Sequence, residues 1–328
     1  MALIYCGIDE AGYGPMLGPL CVGLTCFAVD GWEPGEPAPD LWDRLRSGVC
    51  RSLKELRTDR RSRIAIADSK KLKLSNQLKT RHPLVHLERA VLALLGSAGV
   101  EPVDDGHLFA ALGVELPDEP WYGGRARALP VGSLPSEISV ARNVVGSAMR
   151  SGGVEPIELA CGVVGEQRFN EIVRTTGTKS EATFEVIGRH LRLIRQRCDG
   201  ENPIRIVCDR LGSRRCYAGL IERALPDVRA AVVDESHERS VYRLDGWGCD
   251  TRIVFEVEAE DGHLPVAAAS IVAKLTRELA MARFNRYFSG QLPELKPTAG
   301  YYADARRWLA DAEPVLSPAV RTRLIRRG

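Results

Sequence analysis

Residues 3–29 read LIYCGIDEAGYGPMLGPLCVGLTCFAV. Leu3–Asp9 is an apolar run of strand length that ends on the acidic pair Asp9–Glu10. The following A-G-Y-G-P-M-L-G-P is dense in Gly and Pro and reads as a turn. Leu20–Val29, rich in Val, Leu and Phe, reads as a second strand. Two strands joined by a Gly-rich turn predict an antiparallel pair. Further on, helical spacing covers Pro83–Gly96, Ser136–Met149, Ser180–Arg197, Arg214–Ala224 and Val266–Phe288. Strand patterns fall at Ile64–Ala67, Ile157–Val164, Ile204–Cys208 (running into Asp209), Val228–Val233 and Thr251–Glu258. Strands that first pair locally and then alternate with helices predict a mixed α/β sheet, not a strict Rossmann series. G-Y-G-P-M-L-G carries Pro15 and lacks dinucleotide-fingerprint spacing.

Outward from this core the pattern is less regular. Asp30–Pro39 is a Pro/Gly-rich loop, and Asp40–Leu56 reads as an exposed helix. Gly99–Ser133 holds repeated turn signals and reads as an insertion or lid. Ala303–Gly328 reads as a helical tail, basic at its end. The chain has 328 residues, 45% hydrophobic and 27% charged, enough for a sizeable core and too apolar for wholesale disorder. A formal net charge of +2 decides little about nucleic acid, since an acidic site offsets basic contacts elsewhere. The nine cysteines form no C-x-x-C pair, so a zinc ribbon is not expected, and several lie in apolar runs as buried reduced thiols. No signal-peptide pattern and no apolar run of ~18–20 residues is present, so a cytoplasmic location without a membrane span is expected.

The chemistry lies in the acids. Asp9 and Glu10 close one strand and Asp209 closes another. Glu278 falls on the long helix, in line with Ser270 and Lys274 at four-residue spacing. Each alone is an ordinary surface feature. Together they would make an oxygen-rich site suited to Mg²⁺ or Mn²⁺, because clustered carboxylates repel one another unless a cation sits among them.

Taken in order, GIDEAGYGPMLGP (7–19), ADSKKL (67–72), the strand ending at Asp209, AAASIVAKLTRE (267–278) and Gly300–Tyr301 resemble the ordered motifs of the type 2 ribonuclease H family (ribonuclease HII). The resemblance implies one ribonuclease H-like catalytic domain over residues 1–328. It implies a mixed sheet flanked by helices and a helical C-terminal part at about 289–328; the stretches at about 30–62 and 99–133 exceed the compact family pattern and read as insertions. It implies metal-dependent cleavage of the RNA strand of RNA–DNA hybrids, or cleavage 5′ of a ribonucleotide in duplex DNA, by a monomer. Carried over residue by residue, Asp9, Glu10, Asp209 and Glu278 would hold the metals. The main chain of Gly12, Tyr13 and Gly14 would read the 2′-hydroxyl. Ser69 and Lys70 would contact phosphate, Lys274 would stand beside the site, and Tyr301 (or Tyr302, one residue on) would stack on the sugar.

The chain departs from the family in carrying Tyr13 where Arg is usual and Glu278 where Asp is usual. These departures motivate two alternatives: a non-catalytic hybrid-binding module, and a nuclease with shifted DNA specificity. Other features carry less. His82 and His86 lack the H-E-x-x-H spacing for zinc. No Walker or G-x-S-x-G sequence occurs. Trp121 and Tyr122 fit packing better than base stacking. The basic clusters Arg57–Arg63 and Arg321–Arg327 fit phosphate contact and a solvated surface equally.

Overall fold

The computed structural model describes residues 1–328 except Arg60, Asp199 and Gly328. Arg60 of the Arg57–Arg63 cluster and the last residue of Ala303–Gly328 therefore lie outside the described residues. The strands are β1 (Leu3–Ala11), β2 (Leu20–Val29), β3 (Val49–Cys50), β4 (Ile64–Ala65), β5 (Val154–Val164), β6 (Ile204–Asp209), β7 (Arg229–Glu235), β8 (Arg239–Asp245) and β9 (Thr251–Glu256). Seven form one sheet in the order β5-β2-β1-β6-β9-β8-β7, and β3 and β4 pair separately. β1 and β2 are antiparallel, as the Gly-rich turn predicts, whereas β1–β6 and β6–β9 are parallel.

β1 is nearly continuous in apolar residues because both its faces are covered. Ile4, Cys6 and Ile8 join one core with the helices Glu166–Thr176, Ser180–Arg197 and Ala218–Ala224. Leu3, Tyr5 and Ala11 join another, with the helices Val85–Ser97 and Pro135–Gly152 and the first half of Leu264–Ser289. A third core joins the end of that long helix (Phe284, Phe288) to Trp308 of the helix Tyr302–Asp311. The chain is thus a mixed sheet flanked by helices with a helical C-terminal part.

Two expectations change, and two elements appear that were not expected. Asp40–Leu56 is not one exposed helix: Leu41–Arg44 and Leu53–Thr58 are helical, with β3 between them. A Cβ on Gly48 would lie 2.9 Å from the Val144 carbonyl oxygen, so this segment runs in close contact with a neighbouring helix, and Trp42, Leu45, Val49 and Cys50 are buried. Gly99–Ser133, read as an insertion or lid, is packed against its neighbours. It contains the helix Asp105–Ala111, Arg283 pairs with Asp105 at 2.7 Å, and the buried Glu88 carboxylate accepts from the backbone N–H groups of Val131, Gly132 and Ser133. The helix Glu166–Thr176 and strand β8 have no counterpart in the sequence reading. Arg239, Arg243 and Asp245 on the exposed face of β8 hide its alternation. Among the described residues no helix is long and apolar enough to cross a membrane, and no two of the cysteines form a disulfide.

Candidate active site

The site forms where two parallel strands end. β1 pairs with β6 only as far as Ile8 opposite Cys208, and from Asp9 to Ala11 its partner is β2 alone. That opening lets Asp209, last residue of β6, come beside the Asp9–Glu10 pair. In open α/β sheets such carboxyl ends are where ligands bind. Side chains alternate along a strand, so Asp9 shares the face of Tyr5 and Gly7 while Glu10 starts from the other face. Even so, Asp9, Glu10 and Asp209 each offer a carboxylate oxygen within 4.8 Å of the others.

Glycine brings the long helix Leu264–Ser289 onto this end of the sheet. A Cβ on Gly7 would lie 2.1 Å from the Pro265 carbonyl carbon, and one on Gly23 would lie 2.2 Å from the Ala269 oxygen. Only bare backbone fits there. The close approach sets Ser270 beside Asp9, whose carboxyl its hydroxyl acts to lower. Ser270 Oγ donates to Ser69 Oγ at 3.0 Å.

The acids perturb one another strongly. Burial, then the charges of Glu10 and Asp209, push Asp9 well above the usual carboxylate range, although the Glu10 N–H donates to it at 2.6 Å. Burial, then Asp209, pushes Glu10 up to about 8, with Lys70 opposing. Burial, then Glu260, pushes Asp209 up to about 6, against a hydrogen bond from the Ala259 N–H at 3.3 Å. Mutual elevation of this kind follows from crowding carboxylates together away from water.

Glu260 is the acid that the sequence reading missed. It lies on the single turn Ala259–Gly262, entered through Glu258 at φ +53, and its charge acts on Asp9, Glu10 and Asp209. Burial raises its own carboxyl, and its Oε2 is buried without a hydrogen-bond partner. The signal was present in V-E-A-E-D-G. β9 ends at Glu256, so the later acids occupy a strand-to-helix junction, not the strand continued to Glu258.

Glu278 is not part of the cluster. Its carboxylate lies 3.0 Å from Lys274 Nζ and 3.8 Å from Lys73 Nζ. Ser270, which stands beside Asp9, is two helical turns away, or ~12 Å along the axis. The polar stripe Ser270–Lys274–Glu278 exists, but only its first member reaches the acids, and Lys274 is occupied by Glu278.

The loop residues fall as follows. Ser69 is buried at the start of the short helix Ser69–Leu72, which Asp68 caps. Lys70 is exposed; burial acts against its charge, but Asp68, then Asp9, Glu260 and Asp209, hold its pKa up. Gly12 has φ +93, and a Cβ there would lie 2.4 Å from Arg277 Nε, whereas Gly14 faces open space. Burial, then Glu10, raises the Tyr13 hydroxyl. Tyr301 is half exposed, with the Arg277 guanidinium 5.8 Å from its ring centroid, and Tyr302 is exposed beside Arg306.

Two arginines with no assigned role hold this loop. Arg277 is fully buried and donates to the carbonyls of Pro19 (3.2 Å), Leu17 (3.2 Å) and Ala299 (3.1 Å). Arg326 donates to the Gly12 carbonyl and, at 2.9 Å, to that of Tyr13. Burial, then the charge of Arg277, pushes Arg326 down to about 10. Arg326 of the basic Arg321–Arg327 cluster is therefore internal, neither solvated nor free for phosphate. Trp121 and Tyr122 are buried as packing predicts, and the Tyr122 hydroxyl donates to Glu166 at 2.6 Å.

No protein-family model and no curated protein matches this chain. Solved structures do match across nearly its whole length, and those compared are type 2 ribonuclease H enzymes. An RNase HII from Archaeoglobus fulgidus, solved as a complex with PCNA, is 17% identical with a TM-score of 0.42, over 98% of this chain and 93% of that one. The ribonuclease H2 of Pyrococcus horikoshii OT3 is 16% identical with a TM-score of 0.41, over 99% and 92%. Bst-RNase HIII in complex with Mn²⁺ is 15% identical with a TM-score of 0.39, over 99% of this chain but 66% of its own.

Proposed function

We propose that this protein is a divalent-metal-dependent endoribonuclease of the type 2 ribonuclease H kind. It would cleave the RNA strand of an RNA–DNA hybrid, or the phosphodiester 5′ of a ribonucleotide embedded in duplex DNA. The observation that carries this reading is the convergence of Asp9, Glu10 and Asp209 at the ends of two adjacent parallel strands, with Glu260 beside them. The ordered motifs along the chain support it independently.

The residues present fit Mg²⁺ or Mn²⁺. Every donor is a carboxylate oxygen, the donor type that hard cations take. One Glu260 oxygen is buried and unpartnered, and the raised carboxyls would be relieved by positive charge. Asp9, Glu10, Asp209 and Glu260 would hold the metal. When bound, divalent cations supply the Lewis acidity for phosphodiester hydrolysis.

The chain's own groups do the rest. Lys70 stands exposed next to the acids and offers a cation to a substrate phosphate. The open face of Gly14, in a turn pinned by Arg277 and Arg326, lets a ribose approach the main chain. The exposed Tyr301 ring offers a surface for the neighbouring sugar.

The test is a substrate panel with Mg²⁺, Mn²⁺ or chelator: a duplex with one ribonucleotide, a long hybrid, and the matching all-DNA duplex. Metal-dependent cleavage of the first or second, with the all-DNA duplex intact, is expected. No cleavage with either metal would sink the proposal. Binding without turnover would mark a hybrid-binding module, and equal cutting of the all-DNA duplex would mark a DNA nuclease.

A further inference from the structure

Three polar side chains stand behind the acids and take no part in the cluster. Tyr5 is buried on β1, on the face that also carries Asp9. Its hydroxyl hydrogen-bonds His263 Nδ1. His263 Nε2 lies 3.5 Å from a carboxylate oxygen of Glu256, the last residue of β9. One tautomer suits both contacts: Nε2–H faces the Glu256 carboxylate, and Nδ1 accepts from the Tyr5 O–H. Burial, then the charge of Glu256, raises the Tyr5 hydroxyl far above its ordinary range, so it remains a donor. The edge-on Tyr5 and His263 rings, with planes at 89°, fit this contact.

The chain Tyr5–His263–Glu256 therefore links β1 to β9 across β6, the strand between them. His263 also closes the turn that bears Glu260, its N–H donating to the Ala259 carbonyl at 2.9 Å. That turn is entered through Glu258 in the left-handed region, a conformation that strains a residue with a Cβ. A turn of four residues with a strained entry does not hold its shape alone. The imidazole, fixed from both sides, ties it to the strand that carries Asp9 and Glu10.

We propose that Tyr5, His263 and Glu256 are positioning residues: a strut that sets the distance between the Glu260 carboxylate and the Asp9–Glu10 pair, and so tunes divalent-cation affinity. The proposal rests on the metal site argued above. A residue that orients a ligand without touching the metal typically changes affinity by ~10–100-fold. Tyr5→Phe removes one hydroxyl and leaves the ring. His263→Asn keeps an acceptor where Nδ1 stood, and His263→Ala keeps none.

The experiment uses the full chain and measures Mn²⁺ binding by titration calorimetry, metal-free melting temperature, and kcat and KM on the one-ribonucleotide duplex. Tyr5→Phe should bind Mn²⁺ ~10-fold more weakly. Its kcat should fall at limiting Mn²⁺ and recover at high Mn²⁺, with KM for the duplex unchanged. His263→Asn should recover part of the affinity that His263→Ala loses. Wild-type Mn²⁺ affinity in both Tyr5→Phe and His263→Ala, whatever their melting temperatures, overturns the strut. If the wild type binds Mn²⁺ but cleaves nothing, the nuclease reading fails and the strut is still judged on the affinities. If the wild type binds no Mn²⁺, both fall.

Discussion

Glu260 and Glu278 differ in where the backbone puts them, not in chemistry. Glu260 sits in a turn at the carboxyl end of the sheet; Glu278 sits two helical turns beyond the residue that stands beside Asp9 and is neutralised by Lys274. Glu260→Gln should therefore reduce cleavage by roughly 100-fold or more, as removal of one preorganised charged group from a reacting centre does. Glu278→Gln should leave cleavage within a few-fold of wild type. The same acids set a pH dependence of stability. The Glu10 carboxyl, pushed up to about 8, and that of Asp209, up to about 6, stabilise the fold only while protonated. Their contribution is whole below their ordinary values and is lost as pH rises through about 6 to 8. From pH 6.5, above which His190 is neutral in both states, to pH 8, metal-free protein should melt progressively lower, and Mg²⁺ or Mn²⁺ added at pH 8 should restore most of the loss. Melting scans at each pH decide it; a flat or rising metal-free profile with no metal effect would contradict the mutual elevation of these acids.

The long helix and its glycine seats are the element on which the site depends. Gly7→Ala would drive a methyl into the Pro265 backbone, which cannot yield as a side-chain tip can. It should destabilise by on the order of 3 kcal/mol, and Gly14→Ala, facing open space, should not affect folding; denaturant midpoints separate the two. On the opposite face, His190 of the helix Ser180–Arg197 hydrogen-bonds the Val22 carbonyl at 2.9 Å. Burial pushes it down to about 4, so its contribution is whole above its ordinary 6.5 and lost as pH falls from there towards 4. The loss is about 3 kcal/mol by linkage, and His190→Gln, which can still donate to Val22, should flatten that acid limb. These elements also show what was legible in the sequence. β1, β2, β6 and the long helix carry uninterrupted apolar runs or Gly-Pro punctuation, so periodicity finds them to within a few residues. β8 does not, because its exposed face is Arg, Arg and Asp. Asp9, Glu10 and Asp209 end apolar strands and are visible for that reason. Glu260 was hidden because an acidic run after a strand looks like solvated chain until the left-handed Glu258 turns it inward.

Two cores cover the faces of one sheet, and a third builds the C-terminal lobe. The C-terminal lobe packs Trp308 against Phe284 and Phe288, and its last residues return under the Gly12–Gly14 turn through Arg326. Arg326 touches main-chain carbonyls and not the acids. Arg326→Gln should thus raise KM for the ribonucleotide-bearing duplex by ~10-fold, the scale of one charged hydrogen bond, with Mn²⁺ affinity unchanged. Unchanged KM in a folded variant would show that the turn needs no such anchor. The account as a whole stands on four acids, Asp9, Glu10, Asp209 and Glu260, acting together on a phosphodiester next to a ribose. Its most direct test is single-turnover cleavage of the one-ribonucleotide duplex in Mn²⁺ by wild type, Glu260→Gln and Glu278→Gln, with the all-DNA duplex alongside. The account predicts cutting of the ribonucleotide duplex alone, by wild type and Glu278→Gln and not by Glu260→Gln. Full activity in Glu260→Gln with loss in Glu278→Gln, or no cutting by the wild type, would contradict it.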